Sequence, residues 1–328
     1  MDFWPSSIVK KVIFLSFIIL FLISCSPNRS KDSFTVISWN AYLFFDSRND
    51  GWEYEGFRIS DGYTDAIYQE RIKRTAIMMA KYFSSADVII LQEIENKGVL
   101  EDLLNAGLKK KGYRYYGCAQ NEDQPLSVGY ISRYRPESIA FHGVDGARKQ
   151  LELTFTINGE HINILALHAQ SRLKSTNEAI RYEEFALAES IMSSLSDECS
   201  ILIGDFNADV SLVEAGIANI KKCKDITTPI ICTGDPGECR KGVFFSPSLD
   251  YMGSPGKGTY FYKGEWMWLD NALMQSASFD RRGWDWNYAE ILTPPGLVDI
   301  SGFPISFDKS TARGFSDHLP LKCVLKYY

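Results

Sequence analysis

Positive charge is scarce in this chain. Lys and Arg total 35 against 41 Asp and Glu, the formal net charge is −6, and histidine occurs only 4 times. A broadly basic surface for nucleic acid is therefore not supported, although a small basic patch would barely move the total. No internal repeat or long low-complexity linker appears, which leaves one folded domain. No Cys or His spacing matches a zinc site. The hydrophobic run from Val12 to Ile23 carries no charge, yet it is too short for a comfortable membrane span. What is present is ample for a large core: 328 residues, 45% hydrophobic and 13% aromatic.

That run follows Lys10 and Lys11 and ends in Leu22-Ile23-Ser24-Cys25, the pattern of a signal peptide closing in a bacterial lipobox. The expectation is cleavage before Cys25 and lipidation of its thiol, with ordinary secretory cleavage or an uncleaved anchor as the alternatives. Residues 1–25 are then leader, 26–33 a polar tether, and 34–328 the domain. The mature protein is expected to be exported, membrane-attached through its lipid, and monomeric. Without Cys25, 6 of the 7 cysteines remain, and an oxidising compartment permits disulfides in 15 pairings. Cys223, Cys232 and Cys239 suit a local bridge, whereas Cys199 and Cys323 adjoin apolar runs and read as small buried hydrophobes.

Along the domain, Phe34–Trp39, Asp87–Leu91 and Ser200–Gly204 are short apolar runs that read as buried strands. Leu151–Ile157 and Ile162–Leu167 form a hairpin across Asn158-Gly159. Trp266–Met274 and Leu319–Lys326 read as closing strands. One helix carries Tyr68, Ile72, Ala76, Met79 and Phe83 at helical spacing. A second opens on a Ser175/Glu178 capping box and turns Ile180, Phe185, Ala188, Met192 and Leu195 to the core. Residues 46–64 and 208–260 read as irregular. Strands mixed with few helices predict two packed sheets with helices outside.

Polar groups punctuate the ends of these runs. They are Ser38-Trp39-Asn40, Leu91-Gln92-Glu93, Leu167-His168, Gly204-Asp205-Phe206-Asn207, Leu269-Asp270-Asn271 and Ser316-Asp317-His318. Convergence of these segments on one pocket suits phosphodiester hydrolysis, which needs activated water, charge stabilisation and help for the leaving oxygen. Glu93 is the natural anchor for a hard divalent cation, with the amide oxygen of Asn40 beside it. Asp205 and Asn207 point into one cavity if their strand continues. His318 suits proton transfer. Asp270 or Asp317 could orient it, and strand alternation favours Asp270 and leaves Asp317 to metal or water. Taken alone, His168 reads as a satisfied buried histidine. Arg172 and Lys174 read as solvated cations, with a phosphate contact as the alternative.

The order of these motifs resembles the endonuclease/exonuclease/phosphatase superfamily, which includes DNase I, apurinic endonucleases, neutral sphingomyelinases and inositol polyphosphate 5-phosphatases. The resemblance implies a DNase I-like four-layer α/β sandwich of two mixed, mostly antiparallel sheets with outer helices. It implies magnesium, replaceable by manganese or calcium, on Glu93 and Asn40 with Asp317 completing the shell. Asp205 and Asn207 would position water and phosphate, and Asp270 with His318 would be the acid–base pair. His168 matches a histidine of the DNase and phosphatase branches. That residue, Tyr42 and the expected export all argue against an apurinic endonuclease. Trp268 and Asn271 around Asp270 depart from the family pattern and put substrate contacts there in doubt. The expected activity is metal-dependent phosphodiester hydrolysis, foremost of nucleic acid. The alternatives are a sphingomyelinase-like or inositol-phosphate hydrolase, and a non-catalytic surface lipoprotein.

Overall fold

Strand alternation decides the layering of this chain. A computed structural model describes residues 31–119, 124–172, 177–220, 231–232, 243–247 and 258–328. The leader, Cys25 and most of the tether lie outside the described residues, as do Lys174, Ser175, Cys223 and Cys239. No disulfide joins two described cysteines, and Cys199 and Cys323 are both buried.

The first sheet contains β1 (Ser33–Phe44), β2 (Val88–Ile94), β3 (Tyr115–Cys118), β4 (Ser127–Ser132), β14 (Trp284–Ile291) and β15 (Leu321–Tyr327), in the order β14-β15-β1-β2-β4-β3. The second contains β5 (Ser138–His142), β6 (Gln150–Ile157), β7 (Glu160–His168), β8 (Cys199–Asp205), β9 (Ile231–Cys232), β10 (Phe244–Phe245) and β13 (Asp270–Met274), in the order β5-β6-β7-β8-β13-β10-β9. Both are mixed: β1 runs parallel to β2 and β7 to β8, while most other pairs are antiparallel.

In β7, Ile162, Ile164 and Ala166 enter the core between the sheets, whereas Leu165 and Leu167 face outward. β8 and β13 alternate in the same way, with Ile201, Ile203, Ala272 and Met274 inside and Leu202 and Leu273 outside. The outward leucines meet Phe185, Ala188 and Met192 of α3 (Asn177–Ser194) and Val213 and Ile217 of α4 (Val210–Ile220). On the far side of the first sheet lie α1 (Asp65–Tyr82) and α2 (Lys97–Ala106), with Ile72, Ala76, Met79, Val99 and Leu103 buried. The layers are helix, sheet, sheet, helix. Truncating a fully buried ring such as Phe185 typically costs about 3–5 kcal/mol, which shows how much the outer layers depend on these contacts.

The Asn158-Gly159 hairpin forms as expected, with φ of 57° and 85°. Three expectations need correction. The stretch after Ala208 is not all irregular, because α4 begins where the Asp209 side chain accepts from the Leu212 N–H at 3.0 Å. Trp266–Met274 is not one strand. Its first part is β12 (Glu265–Met267), which folds back on β11 (Tyr260–Tyr262) through Lys263 and Gly264, both at positive φ. In α3, Ile180 is only half-buried while Arg181 and Glu184 are buried, and Leu195, also half-buried, lies just past the helix end. Those two serve the loop after β7: Glu184 accepts from the Gln170 N–H at 2.8 Å and Arg181 donates to the Gln170 carbonyl at 3.3 Å.

Candidate active site

Three adjacent strands bring one polar group each to the same level. His168 of β7 pairs with Asp205 of β8, and Asp205 with Asp270 of β13. Each continues the inward-facing set of its strand, so the core between the sheets ends in a polar row. Gly204 permits the close approach: at φ 148°, a Cβ there would stand 2.0 Å from the Leu167 carbonyl oxygen. From the first sheet come Asn40 of β1, where the register with β2 breaks, and Glu93 in β2. Asp317 and His318 arrive on the segment before β15.

His318 Nδ1 meets Asp270 Oδ2 at 2.8 Å, and its Nε2 lies 3.8 Å from Asp205 Oδ2. His168 Nε2 lies 3.5 Å from the same Asp205 oxygen and 3.9 Å from Glu93 Oε1. The segment carrying His318 is pinned by the Trp39 indole N–H on the His318 carbonyl (3.0 Å) and by Ser316 Oγ on the Asn40 carbonyl (2.7 Å). Asn40 is placed differently from the expectation that it offers an amide oxygen to a metal. Its Nδ2 donates to Glu93 Oε1 (3.2 Å) and Asp205 Oδ2 (3.0 Å), while its Oδ1 accepts the Tyr42 N–H (3.0 Å). It therefore braces two carboxylates. Asn207 does not extend the strand either. It adopts φ 48°, its N–H is bound by Asp205 Oδ1, and its Nδ2 donates to the Ala169 carbonyl.

Backbone strain gathers here. Tyr42, Leu43, Glu93 and Asn207 all have positive φ, and the β1–β2 and β2–β4 registers shift beside Asn40 and Glu93. Arg71 of α1 holds this arrangement from behind. It is buried, it donates to the carbonyls of Ala41, Tyr42 and Leu43, and its guanidinium lies 4.1 Å and 3.9 Å from the Phe44 and Phe307 ring centres. The loop it holds supplies the Leu43 N–H to Glu93 Oε2 at 2.6 Å. Arg71→Met is expected to cost roughly 3 kcal/mol in urea unfolding, because charge-assisted bonds vanish and carbonyls are left unpaired. A loss below about 0.5 kcal/mol would contradict this account.

The charges are unevenly settled. Burial pushes Asp205 up to about 7, with Asp270 adding and His318, Asn207 and Asn40 opposing. Burial, helped by Glu93, raises Asp317 to about 6. For His318 burial works against the cation, but Asp270 and Asp205 outweigh it and raise the imidazole to about 10. His168 is held well below its usual value by burial, with Arg148 and His318 adding, so it is neutral. Glu95, behind the site, is pushed up to about 8, chiefly by burial.

These directions give a pH dependence. A group whose folded pKa is raised keeps a proton that the unfolded chain has released, so its contribution falls as pH rises through that interval. The intervals are 3.8 to about 7 for Asp205, 4.5 to about 8 for Glu95 and 6.5 to about 10 for His318. His168 has the opposite sign but acts only below the ordinary imidazole value of 6.5. The Tm of chelator-treated protein is therefore expected to fall steadily from pH 7 upward, and excess magnesium to flatten that slope. A Tm constant or rising from pH 7 to 9 would refute the assignment.

His168 and Asp205 of the row, with His318, floor a cleft of about 540 Å³, lined also by Leu43, Tyr54, Arg148, Arg172, Tyr260 and Tyr262. Arg172 donates to Met267 Sδ at 3.1 Å. Arg148 was not foreseen from the sequence. Its Nε and Nη1 are buried without a hydrogen-bond partner among the described residues, which suits an incoming anion. Only its place just after the Val144–Ala147 turn could have drawn notice, and turns carry no periodic signal.

Among the described residues, Asp205, Asp270 and His318 form a group that could hold a cation, their ligand atoms lying within 4.8 Å of one another. His318 is a poor member of it, since Asp270 occupies its Nδ1 and keeps the ring protonated. Glu93, Asp205 and Asp317 are hard oxygen donors, and the raised Asp205 and Asp317 carboxyls carry the repulsion that a divalent ion relieves. The residues present fit such an ion.

A two-sheet α/β sandwich with outer helices and the polar ends of its strands gathered at one edge is the DNase I-like architecture. The chain belongs to the endonuclease/exonuclease/phosphatase family, whose sequence profile matches residues 35–326. Enzymes of that superfamily depend on divalent metals. Among solved structures it is similar to D. rerio TDP2 complexed with a single-strand DNA product (14% identity, 90% of this chain and 100% of that one, TM-score 0.58). It is also similar to an endonuclease/exonuclease/phosphatase family protein from Bacteroides thetaiotaomicron (18%, 90% and 98%, TM-score 0.56). A third likeness is to the mannosyl-6-phosphatase Bt3783 of Bacteroides thetaiotaomicron VPI-5482 (17%, 89% and 99%, TM-score 0.55). At these identities the likeness is one of fold. No curated protein sequence matches significantly.

Proposed function

We propose that the protein is a metal-dependent phosphodiesterase acting on nucleic acid. The observation that carries this reading is the inward row of His168, Asp205 and Asp270, completed by His318, on the floor of a cleft walled by Arg148 and Arg172. The arginines receive the phosphate, Arg148 through donors that are otherwise unpaired. Asp205, titrating near 7, suits acceptance of a proton from the attacking water. Asp270 orients His318 and keeps it cationic, so Nε2 can hydrogen-bond a phosphoryl oxygen or pass a proton to the leaving oxygen. Neutral His168 places Nε2 3.5 Å from Asp205 and 3.9 Å from Glu93, where it adds no charge beside the carboxylates. A bound magnesium ion would neutralise charge on the phosphoryl oxygens, with Glu93 and Asp317 as its oxygen donors. The TDP2 likeness, in a complex with single-strand DNA product, supports a nucleic-acid substrate.

Incubation of the domain with supercoiled plasmid and with a single-stranded oligonucleotide, in magnesium and in chelator, tests this. Magnesium-dependent cleavage of either supports it, and a folded, metal-binding protein that cuts neither refutes it. A small phosphate ester or phospholipid headgroup is the second reading. Tyr54 in the cleft wall and the exposed Trp52 favour it. Hydrolysis of such esters with nucleic acid untouched would establish it.

The proposal includes export and lipid attachment at Cys25, supported by Lys10-Lys11, the apolar run and Leu22–Cys25. Among the described residues no helix is long and apolar enough to cross a membrane. Membrane fractionation of the full chain beside Cys25→Ser tests this part: equal membrane retention would overturn it.

A further inference from the structure

The β11–β12 hairpin has two dissimilar faces. On one, Phe261 packs against Trp266 (5.2 Å between ring centres) and Phe303 (4.2 Å), which anchors the hairpin to the domain. On the other, Tyr260 and Tyr262 stand two residues apart on the same side of the strand. The Tyr260 ring lies 4.6 Å from that of His318, and Tyr262 stacks on Tyr260 at 6.1 Å with 25° between planes. Both line the cleft, yet Tyr262 is 49% exposed. An exposed ring stacked over a reaction floor contributes little to the core. What it offers is a second ring at the cleft wall, with the Lys263 ammonium 5.1 Å from its centre.

The floor limits what can use that ring. His168, Asp205, Asp270 and His318 are each no more than 5% exposed, so a reacting phosphate must descend into the cleft between the arginines and the tyrosines. In a duplex, the bases flanking that phosphate are paired and stacked on their neighbours. An unpaired nucleotide can turn its base outward onto an aromatic side chain.

We propose that Tyr262 is a base-stacking platform and that the cleft takes an unpaired nucleic-acid strand in preference to a duplex. This rests on the phosphodiesterase reading above and names the substrate form for the same site.

A short single-stranded oligonucleotide carrying 2-aminopurine, titrated with the protein in chelator, reads stacking directly as fluorescence quenching. Hydrolysis in magnesium is followed separately. Wild type is expected to quench the probe, Tyr262→Phe to match it, and Tyr262→Ala to bind roughly 5- to 150-fold more weakly. Tyr262→Leu keeps apolar bulk on Tyr260 without an aromatic face and is expected to bind as poorly as the alanine variant. Thermal melts show that each variant is folded. Duplex of the same sequence is expected to compete at least tenfold less well. Absence of binding by wild type, unchanged quenching in Tyr262→Leu, or duplex competing as well as single strand would each overturn the proposal. Magnesium-dependent cleavage without Tyr262-dependent quenching sinks the platform alone. Quenching without cleavage of any strand sinks the phosphodiesterase reading alone.

Discussion

His318→Ala is expected to lower metal-dependent hydrolysis by roughly 10²–10⁴-fold, the range for losing a positioned proton donor. The variant removes the only imidazolium among the buried carboxylates: Asp270 at 2.8 Å loses its partner and Asp205 at 3.8 Å loses its nearest cation. Asp270 is fully buried, and its Oδ1 already has no hydrogen-bond partner among the described residues, so the variant leaves its buried carboxyl without the partner that Oδ2 had. Hydrolysis should fall through kcat rather than KM, because Arg148 and Arg172 still receive the phosphate. Asp270→Asn keeps the shape of the pair but removes the charge that holds His318 cationic. It is expected to impair kcat in the same direction and shift the rate profile toward acid. A His318→Ala rate within fivefold of wild type, at saturating metal, would remove this histidine from the chemistry.

The second large effect belongs to Asp205→Asn, which should cost activity of about 10³-fold and leave the chelator-treated protein as stable as wild type or more so. Asp205 is touched by Asn40, His168 and the Asn207 N–H and stands near His318, so no other side chain in the row has as many functional neighbours. Its carboxyl is also costly to the fold: burial and Asp270 raise it to about 7, so near neutrality the metal-free domain carries charge that it does not solvate. The single asparagine oxygen can still accept from one of Asn40 and Asn207, which sit on different carboxylate oxygens, and the repulsion with Asp270 disappears. Parallel thermal melts and rate measurements decide the matter. A folded variant with near-normal rate, or an inactive one that has lost several degrees of Tm, contradicts the assignment.

The legible parts of the chain were those where period two meets burial. Ile164, Ala166 and His168, or Ile201, Ile203 and Asp205, are one continuous inward set, so a polar residue closing an apolar run marks the end of a sandwich core. The hairpin at Asn158-Gly159 was legible because both residues tolerate positive φ. Less visible was anything fixed by tertiary contact. Arg181 and Glu184 are buried because they serve the Gln170 loop, and nothing within α3 announces that. Asn40 carried the right residue type, but which end of its amide faces the carboxylates depends on the Tyr42 N–H and hence on the turn that Arg71 holds. The break between β12 and β13 was hidden because Trp266, Met267, Trp268 and Leu269 run across it as one apolar stretch with no Gly or Pro.

In the first sheet, β1 lies between β2 and β15, and the floor of the cleft is tied across that seam by Trp39 to His318 and by Ser316 to Asn40. These contacts span 279 and 276 residues of sequence. A chain emerging from the ribosome therefore holds Asn40, Glu93, His168 and Asp205 long before it holds His318. β1 cannot complete its sheet until β15 has been synthesised. Catalysis is thereby deferred to the final stage of folding. A hydrolase with this topology stays silent until its last strand has docked.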